Sequence, residues 1–336
     1  MTLDDRFEDL VTSLGGFYRS WVVHLGLELG LFAALRRAGG AGLTPAALAA
    51  ETSTAPDPVA AWCRAAFASD LVDDDGERIH LDDVTAGILL DADRPEYLGG
   101  QFAYTVTASL DYEALIDLLR TGRTVAVRPP RYSRAIEQLT RQDIVVFFEE
   151  ALAAIPDLVA DLARGCDVVD LHCGGGRWLV AVARRFPASR LVGVEAEPDS
   201  TARAVRLVQE AGLAGRIRIE DCEVSAITHR AAFDLAYFQH ALHELRDPVP
   251  ALQAAWRALR PGGRLLVLGW CLPATRDALA TLHGQLITGV ALDEAIHGGR
   301  LRTVDEHAAL FVEAGLPVPE AIPLPSDATL LVARRR

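Results

Sequence analysis

The chain has 336 residues, half of them apolar, and carries 33 basic against 46 acidic side chains for a formal charge of −13. Every basic residue is arginine, which excludes a Schiff-base lysine, a pyridoxal-phosphate anchor and a P-loop lysine, since each needs a primary amine. The acidic balance repels phosphate backbones, so nucleic acid is not an expected partner, and the longest basic run, Arg334-Arg335-Arg336, reads as a tail.

The N-terminus opens on Asp4-Asp5 where a secretory signal needs a positive flank, and no run of ~18 apolar residues follows. The expectation is a cytoplasmic protein with no membrane partner. Apolar residues at helical spacing (Leu10, Leu14, Phe17, Trp21, Leu25, Leu29, Phe32, Leu35) predict one or two helices over 8–38, closed by Gly39-Gly40. Thr44-Pro45 starts a short helix to Ala50, and Asp57-Pro58 starts another to about Ser69. Leu71-Val72 and Ile79-His80-Leu81 then read as two short strands around an acidic tip. Helix, helix, hairpin is the winged-helix order. As a DNA reader it is poorly equipped, because the second helix offers only Arg64 and the tip sets four acids against Arg78. A dimerisation or substrate-lid role suits it better.

Residues 100–163 read as helical, with a break at Pro129-Pro130. From Asp167 short apolar runs (168–171, 190–194, 217–219, 234–238, 265–268) alternate with helical stretches, the pattern of a parallel sheet with crossover helices. The five cysteines are odd in number, widely spaced and lack a CxxC pair, so they read as reduced thiols.

The first of those strands runs into Asp170-Leu171-His172-Cys173-Gly174-Gly175-Gly176 and a helix follows. A glycine turn leaving a strand admits a nucleotide close to the backbone and aims helix N–H groups at it. Nineteen residues after Gly176, Glu195 ends the next strand, where an acid can accept from both ribose hydroxyls. Here the chain resembles the class I S-adenosylmethionine-dependent methyltransferases from about residue 15 to its end. Asp170, Gly174 and Gly176 match the family's acid-x-Gly-x-Gly-x-Gly motif, and Glu195 matches its ribose acid. Asp221, with Glu220 as runner-up, matches the acid that holds the adenine amino group. Phe233-Asp234-Leu235 through Leu245 resembles the fourth motif, and Arg260-Pro261-Gly262-Gly263 the turn before the fifth strand.

The resemblance implies an α/β fold: a Rossmann-like methyltransferase sheet preceded by a mostly helical winged-helix domain. It divides the chain into a winged-helix dimerisation domain (1–100), a helical linker and substrate-covering segment (101–163) and a catalytic domain (164–336). Leu29-Gly30-Leu31-Phe32-Ala33-Ala34-Leu35 is similar to the first helix of the module that makes related enzymes interlocked homodimers. One residue departs from the pattern, because His172 stands where the motif has its first glycine. Three accounts compete: the ring swings aside and leaves cofactor binding intact, it contacts the cofactor carboxylate, or it marks a fold that has lost methyl transfer.

Methyl transfer from a sulfonium is an in-line displacement, so the protein chiefly positions the acceptor and removes its proton. His243, in a His243-Glu244 pair after the fourth strand, matches the position where similar O-methyltransferases place their base, and an imidazole suits that work at neutral pH. His240 lies three residues earlier and, on a helix, shares its face. The resemblance extends to β-methyltransferases of α-keto acids, whose His-acid pair holds a non-haem metal. That implies His243 and Glu244 as ligands of iron or zinc, with Glu294 or His297 as the third and Asp293 beside them; the same residues also read as a solvated helix face. Tyr18, Trp21, His24, Phe102, Tyr104 and Tyr112 are candidate pocket linings, and Arg128 and Arg131 are candidate grips for a substrate carboxylate.

The sequence thus points to a dimeric methyltransferase acting on the oxygen or carbon of a small molecule. Its rivals are a repurposed fold catalysing rearrangement, cyclisation or elimination or only binding a ligand, and a winged-helix regulator. Lysine-free, alanine- and arginine-rich usage suggests a GC-rich genome, in keeping with specialised metabolism.

Overall fold

The computed structural model describes residues 2–125 and 127–336. They form two compact units: the residues through Leu110 with Pro130–Gln142, and Asp111–Pro129 with Asp143–Arg336.

The first unit begins with α1 (Leu3–Glu28), whose start is fixed by a capping box in which Thr2 Oγ1 accepts from the Asp5 N–H and Asp5 accepts from the Thr2 N–H. Gly30, at φ +71°, turns the chain into α2 (Leu31–Ala38). A Cβ on Gly26 would lie 2.3 Å from the Phe32 ring and 2.8 Å from that of Trp62, so only glycine lets α1 approach its neighbours this closely. Prolines in the first turn open α3 (Pro45–Glu51) and α4 (Pro56–Ala68). The hairpin of β1 (Asp73–Asp74) and β2 (Ile79–His80) follows, then α5 (Asp83–Leu90) and α6 (Gly99–Ser109). Leu71-Val72, expected as a strand, is not one. The Leu71 N–H bonds back to the Ala66 carbonyl and ends α4, so pairing begins two residues later, at Asp73 opposite His80.

In the second unit lies α7 (Tyr112–Thr121); α8 (Arg131–Val146) enters it from the first, followed by a π turn (Phe147–Ala151), α9 (Leu152–Ala154) and α10 (Pro156–Arg164). The alternation expected from the apolar runs then appears as β3 (Asp167–Leu171), α11 (Arg177–Arg185), β4 (Arg190–Glu195), α12 (Pro198–Glu210), β5 (Ile217–Asp221), β6 (Phe233–Gln239), α13 (Pro248–Ala258) and β7 (Leu259–Gly269). After α14 (Arg276–Leu279), α15 (Leu282–Ile296) and α16 (Val304–Glu313), the chain ends in β8 (Glu320–Pro323) and β9 (Thr329–Arg334). The sheet order is β5-β4-β3-β6-β7-β9-β8, parallel through β7 and antiparallel at β9 and β8. Apolar layers cover both faces, one around Phe147, Trp178 and Tyr237 and the other around Phe238, Leu252 and Phe311.

The run at the C-terminus is not a free tail. Arg334 belongs to β9 and bonds Asp157 at 2.8 Å, while the Arg335 guanidinium donates to the carbonyls of Trp256, Arg257 and Leu259. Among the described residues no helix is long and apolar enough to cross a membrane.

Candidate functional site

From β3 the chain moves outward through β4 to β5, then returns to the opposite side of β3 as β6. That reversal opens a crevice at the carboxyl ends of the strands, the place where open α/β sheets bind ligands. The loops after β3, β4 and β6 converge there, and they carry most of the residues singled out in the sequence.

Two glycines shape the first loop. Gly174, at φ +53°, has no atom within 4 Å of where a Cβ would stand, and Gly176, at φ +75°, leads into α11 with Ala204 3.2 Å from that position. The first leaves space for a ligand against bare backbone; the second allows α12 to pack close. Asp170 lies beneath them in β3, 2% exposed. Burial, then the charge of Glu195, pushes its carboxyl up to about 8, against the pull of His172.

Glu195 ends β4 almost fully buried. Oε1 accepts from the N–H groups of Ala196 (3.0 Å) and Glu197 (2.9 Å), and Oε2 accepts from the Gly174 N–H at 2.8 Å. Burial works against its charge, yet His172 and these N–H groups prevail and hold it below the ordinary carboxylate value. Asp221, at the end of β5, stands in register with Glu195 and is exposed. The runner-up Glu220 is already engaged, by His229 at 3.0 Å and by Arg218, whereas Asp221 stands exposed. A glycine cradle with open space and two strand-end carboxylates together fit an adenosyl ligand.

His172 has φ +66°, uncommon for a residue with a Cβ. Its N–H donates to the Val194 carbonyl at 2.9 Å, Nδ1 pairs with Glu195 Oε2 at 3.3 Å, and Nε2 bonds Glu244 Oε2 at 3.2 Å. Burial disfavours the imidazolium, but the two carboxylates outweigh it and raise its pKa well above the usual histidine value.

The loop after β6 is a turn and not a helix, so His240 and His243 do not share a helical face. His240, at φ +47°, sits edge-on to Trp270 with ring centres 4.6 Å apart and Nε2 3.4 Å from Asp143. Sequence reading missed Asp143 and Trp270, since neither is near His240 in the chain. His243 instead directs Nε2 toward Glu294, 3.8 Å away, and burial lowers its pKa against the raising effect of Glu294 and Glu244. A cleft lined by His240, His243, Trp270, Cys271 and His307 lies at the carboxyl ends of β6 and β7. Burial opposes the charge of Glu244, but Arg128 and His172 hold it well below its ordinary value.

Arg128, expected to grip a substrate carboxylate, is engaged by the protein. It bonds Glu244 Oε1 at 3.2 Å and makes a short contact with Glu294 Oε2. The expected metal ligands are therefore only partly assembled: His243, Glu244 and Glu294 bring ligand atoms within 4.8 Å of one another, while His297 turns its Nδ1 to the Val125 carbonyl at 3.3 Å. A guanidinium bonded to both carboxylates supplies the positive charge a metal would bring, so this arrangement is an ion-pair cluster and does not fit a metal ion as it stands. Asp293, pushed up to about 6 chiefly by burial, pairs with Tyr112, which accounts for that tyrosine. In the first unit Tyr104 packs edge-on against Tyr132, Phe102 packs on the core, Trp21 meets His24, and Tyr18 and Arg131 are exposed.

Residues 168–263 match the family described as "Methyltransferase domain". Over 220 residues the chain is 30% identical to aclacinomycin 10-hydroxylase RdmB of Streptomyces purpurascens, covering 62% of this chain and 57% of that one. It spans about half the length of other curated relatives that it matches. Among solved structures it is similar to the mitomycin 7-O-methyltransferase MmcR (TM-score 0.73, 23% identity, 99% of this chain and 98% of that one). It is likewise similar to CalO1, a methyltransferase in calicheamicin biosynthesis solved with S-adenosylhomocysteine (TM-score 0.71, 20% identity, 100% of both chains). Residues 168–263 thus resemble a methyltransferase domain, and the chain as a whole has the fold of these solved methyltransferases.

Proposed function

We propose that this protein is an S-adenosylmethionine-dependent methyltransferase that methylates the oxygen or carbon of a small specialised-metabolite acceptor. The observation that carries the reading is the convergence, at one sheet crevice, of the glycine cradle, Glu195, Asp221 and a buried neutral histidine. S-adenosylmethionine, when bound, supplies an electrophilic methyl group. Gly174 and Gly176 would give its amino-acid end access to backbone N–H groups, Glu195 would accept from the ribose hydroxyls once one of its present donors gives way, and Asp221 would accept from the adenine amino group. Names in natural-product biosynthesis among the structural neighbours support a small-molecule acceptor.

His243 is the proton-removing residue. Burial keeps its imidazole neutral, so Nε2 is free to accept a proton at neutral pH, and Glu294 stabilises the imidazolium that forms. Glu244 and Arg128 fix the charge around it without taking the proton. His240, held by Asp143 and Trp270, shapes the cleft beside the base.

The first unit is read as a winged-helix module that makes the protein a cytoplasmic homodimer. An apolar stripe along α1 supports this: Leu3, Phe7, Leu10, Leu14 and Phe17 recur three or four residues apart and are all exposed. A second copy of the same helix is the partner that would cover so regular a stripe.

Calorimetry with S-adenosylmethionine and S-adenosylhomocysteine tests the cofactor, and label transfer from the methyl-labelled cofactor to a panel of phenols and enolisable carbonyl compounds tests the chemistry. Micromolar binding and acceptor labelling are expected. Folded protein that binds neither nucleoside would overturn the reading.

A further inference from the structure

Glu195 has no acceptor position left. A carboxylate offers about four lone-pair directions; Ala196 and Glu197 take those of Oε1, and Gly174 and His172 take those of Oε2. Three of the four donors are backbone N–H groups, fixed by the chain. The fourth is a side chain with 29% of its surface exposed. A ribose diol that is to use Glu195 must therefore take over the position of His172. Gly174 raises no such obstacle, since nothing lies within 4 Å of where its Cβ would stand.

The other nitrogen of the same ring holds Glu244, the residue beside the base. From there the contacts run without a gap, Glu244 to Arg128, Arg128 to Glu294 and Glu294 toward His243. The charges along Glu195, His172, Glu244, Arg128 and Glu294 alternate in sign. One imidazole thus joins the ribose carboxylate to the catalytic pair.

We propose that His172 is a positioning residue that latches Glu195 to Glu244, so that uptake of an adenosyl ligand and release of Glu244 from the imidazole are a single event. The proposal rests on the cofactor reading above. It also specifies why this chain has a histidine where a glycine would leave the crevice open: the ring reports occupancy of the ribose carboxylate to the base, at a cost in affinity.

The test measures S-adenosylhomocysteine binding by calorimetry for wild type, His172→Gly, His172→Asn and Glu244→Gln. Asparagine tolerates the left-handed backbone but is too short to span both carboxylates. Both His172 variants are expected to bind at least tenfold more tightly than wild type, and Glu244→Gln several-fold more tightly. In wild type labelled with ¹⁵N-histidine, the His172 ring signals are expected to shift on addition of S-adenosylhomocysteine, and in Glu244→Gln the Nε2 signal to differ before any ligand is added. Equal or weaker binding by both His172 variants, with wild type binding, would overturn the latch and leave the cofactor reading intact. Tighter His172 variants with an unchanged Glu244→Gln would reduce His172 to a local obstruction and overturn the coupling. Absence of binding by all four folded proteins would instead overturn the cofactor reading itself.

Discussion

Glu195→Gln isolates what the strand-end carboxylate contributes to the fold. Each of its oxygens faces two donors: the Ala196 and Glu197 N–H groups on one, the Gly174 N–H and His172 Nδ1 on the other. An amide presents one oxygen and one NH₂, so in either orientation two donors meet a donor. Hydrogen bonds to a charged acceptor contribute about 1.5–3 kcal/mol each, and losing two is offset partly by no longer burying a charge. The depressed pKa of Glu195 says that the folded surroundings favour its charged form on balance, so the net change is a loss of about 2–4 kcal/mol. Chemical unfolding of the two proteins side by side, followed by the fluorescence of Trp178 in the same sheet core, measures it. S-adenosylhomocysteine affinity of the variant is expected to fall as well. A stability within about 0.5 kcal/mol of wild type, the range of an ordinary surface change, would refute the accounting of four donors on one carboxylate.

Asp170 carries a pH signature: its folded pKa of about 8 exceeds the ordinary aspartate value, so the folded chain binds a proton that the unfolded chain releases. Stability contributed by this residue is fully present at acid pH and is lost as pH rises toward 8; Asp170→Asn should gain melting temperature relative to wild type between pH 5 and pH 8.5, and parallel curves would contradict the shift. Gly26→Ala places a methyl into the rings of Phe32 and Trp62, with an expected destabilisation of about 1–3 kcal/mol read by thermal unfolding; an unchanged transition would show that α1 can move away freely. Charging the α1 stripe with Leu10→Glu and Leu14→Glu should convert a dimer into monomers by sedimentation velocity, and a dimer that persists would remove α1 from the interface. Wild-type protein is expected to show no saturable zinc or ferrous binding by calorimetry, whereas Arg128→Met frees both carboxylates and should create a site; tight metal binding by wild type would show that Arg128 yields its place.

The chain order of β3 to β7, the glycine turn and Glu195 were legible because each is a local matter: apolar runs of strand length, residues that permit positive φ, and a fixed spacing between successive strand ends. The C-terminal strands were not, since prolines 317, 319, 323 and 325 mask their alternation, and β9 is a strand only because β7 offers it an antiparallel partner. The same limit applies to His240, whose ring meets Asp143 and Trp270, and to Arg128, expected to grip a substrate carboxylate but bonded to Glu244 and Glu294.

Sequence by itself determined the glycine turn that follows the first sheet strand and the acid that ends the next, because glycine permissiveness and a strand-end acid are properties of single residues. Tertiary structure alone decided what His172 does. Its partners lie 23 positions away at Glu195 and 72 at Glu244, and Arg128 meets Glu294 across 166. Charge pairing depends on distance in space, and only the folded sheet brings those groups within reach of one another.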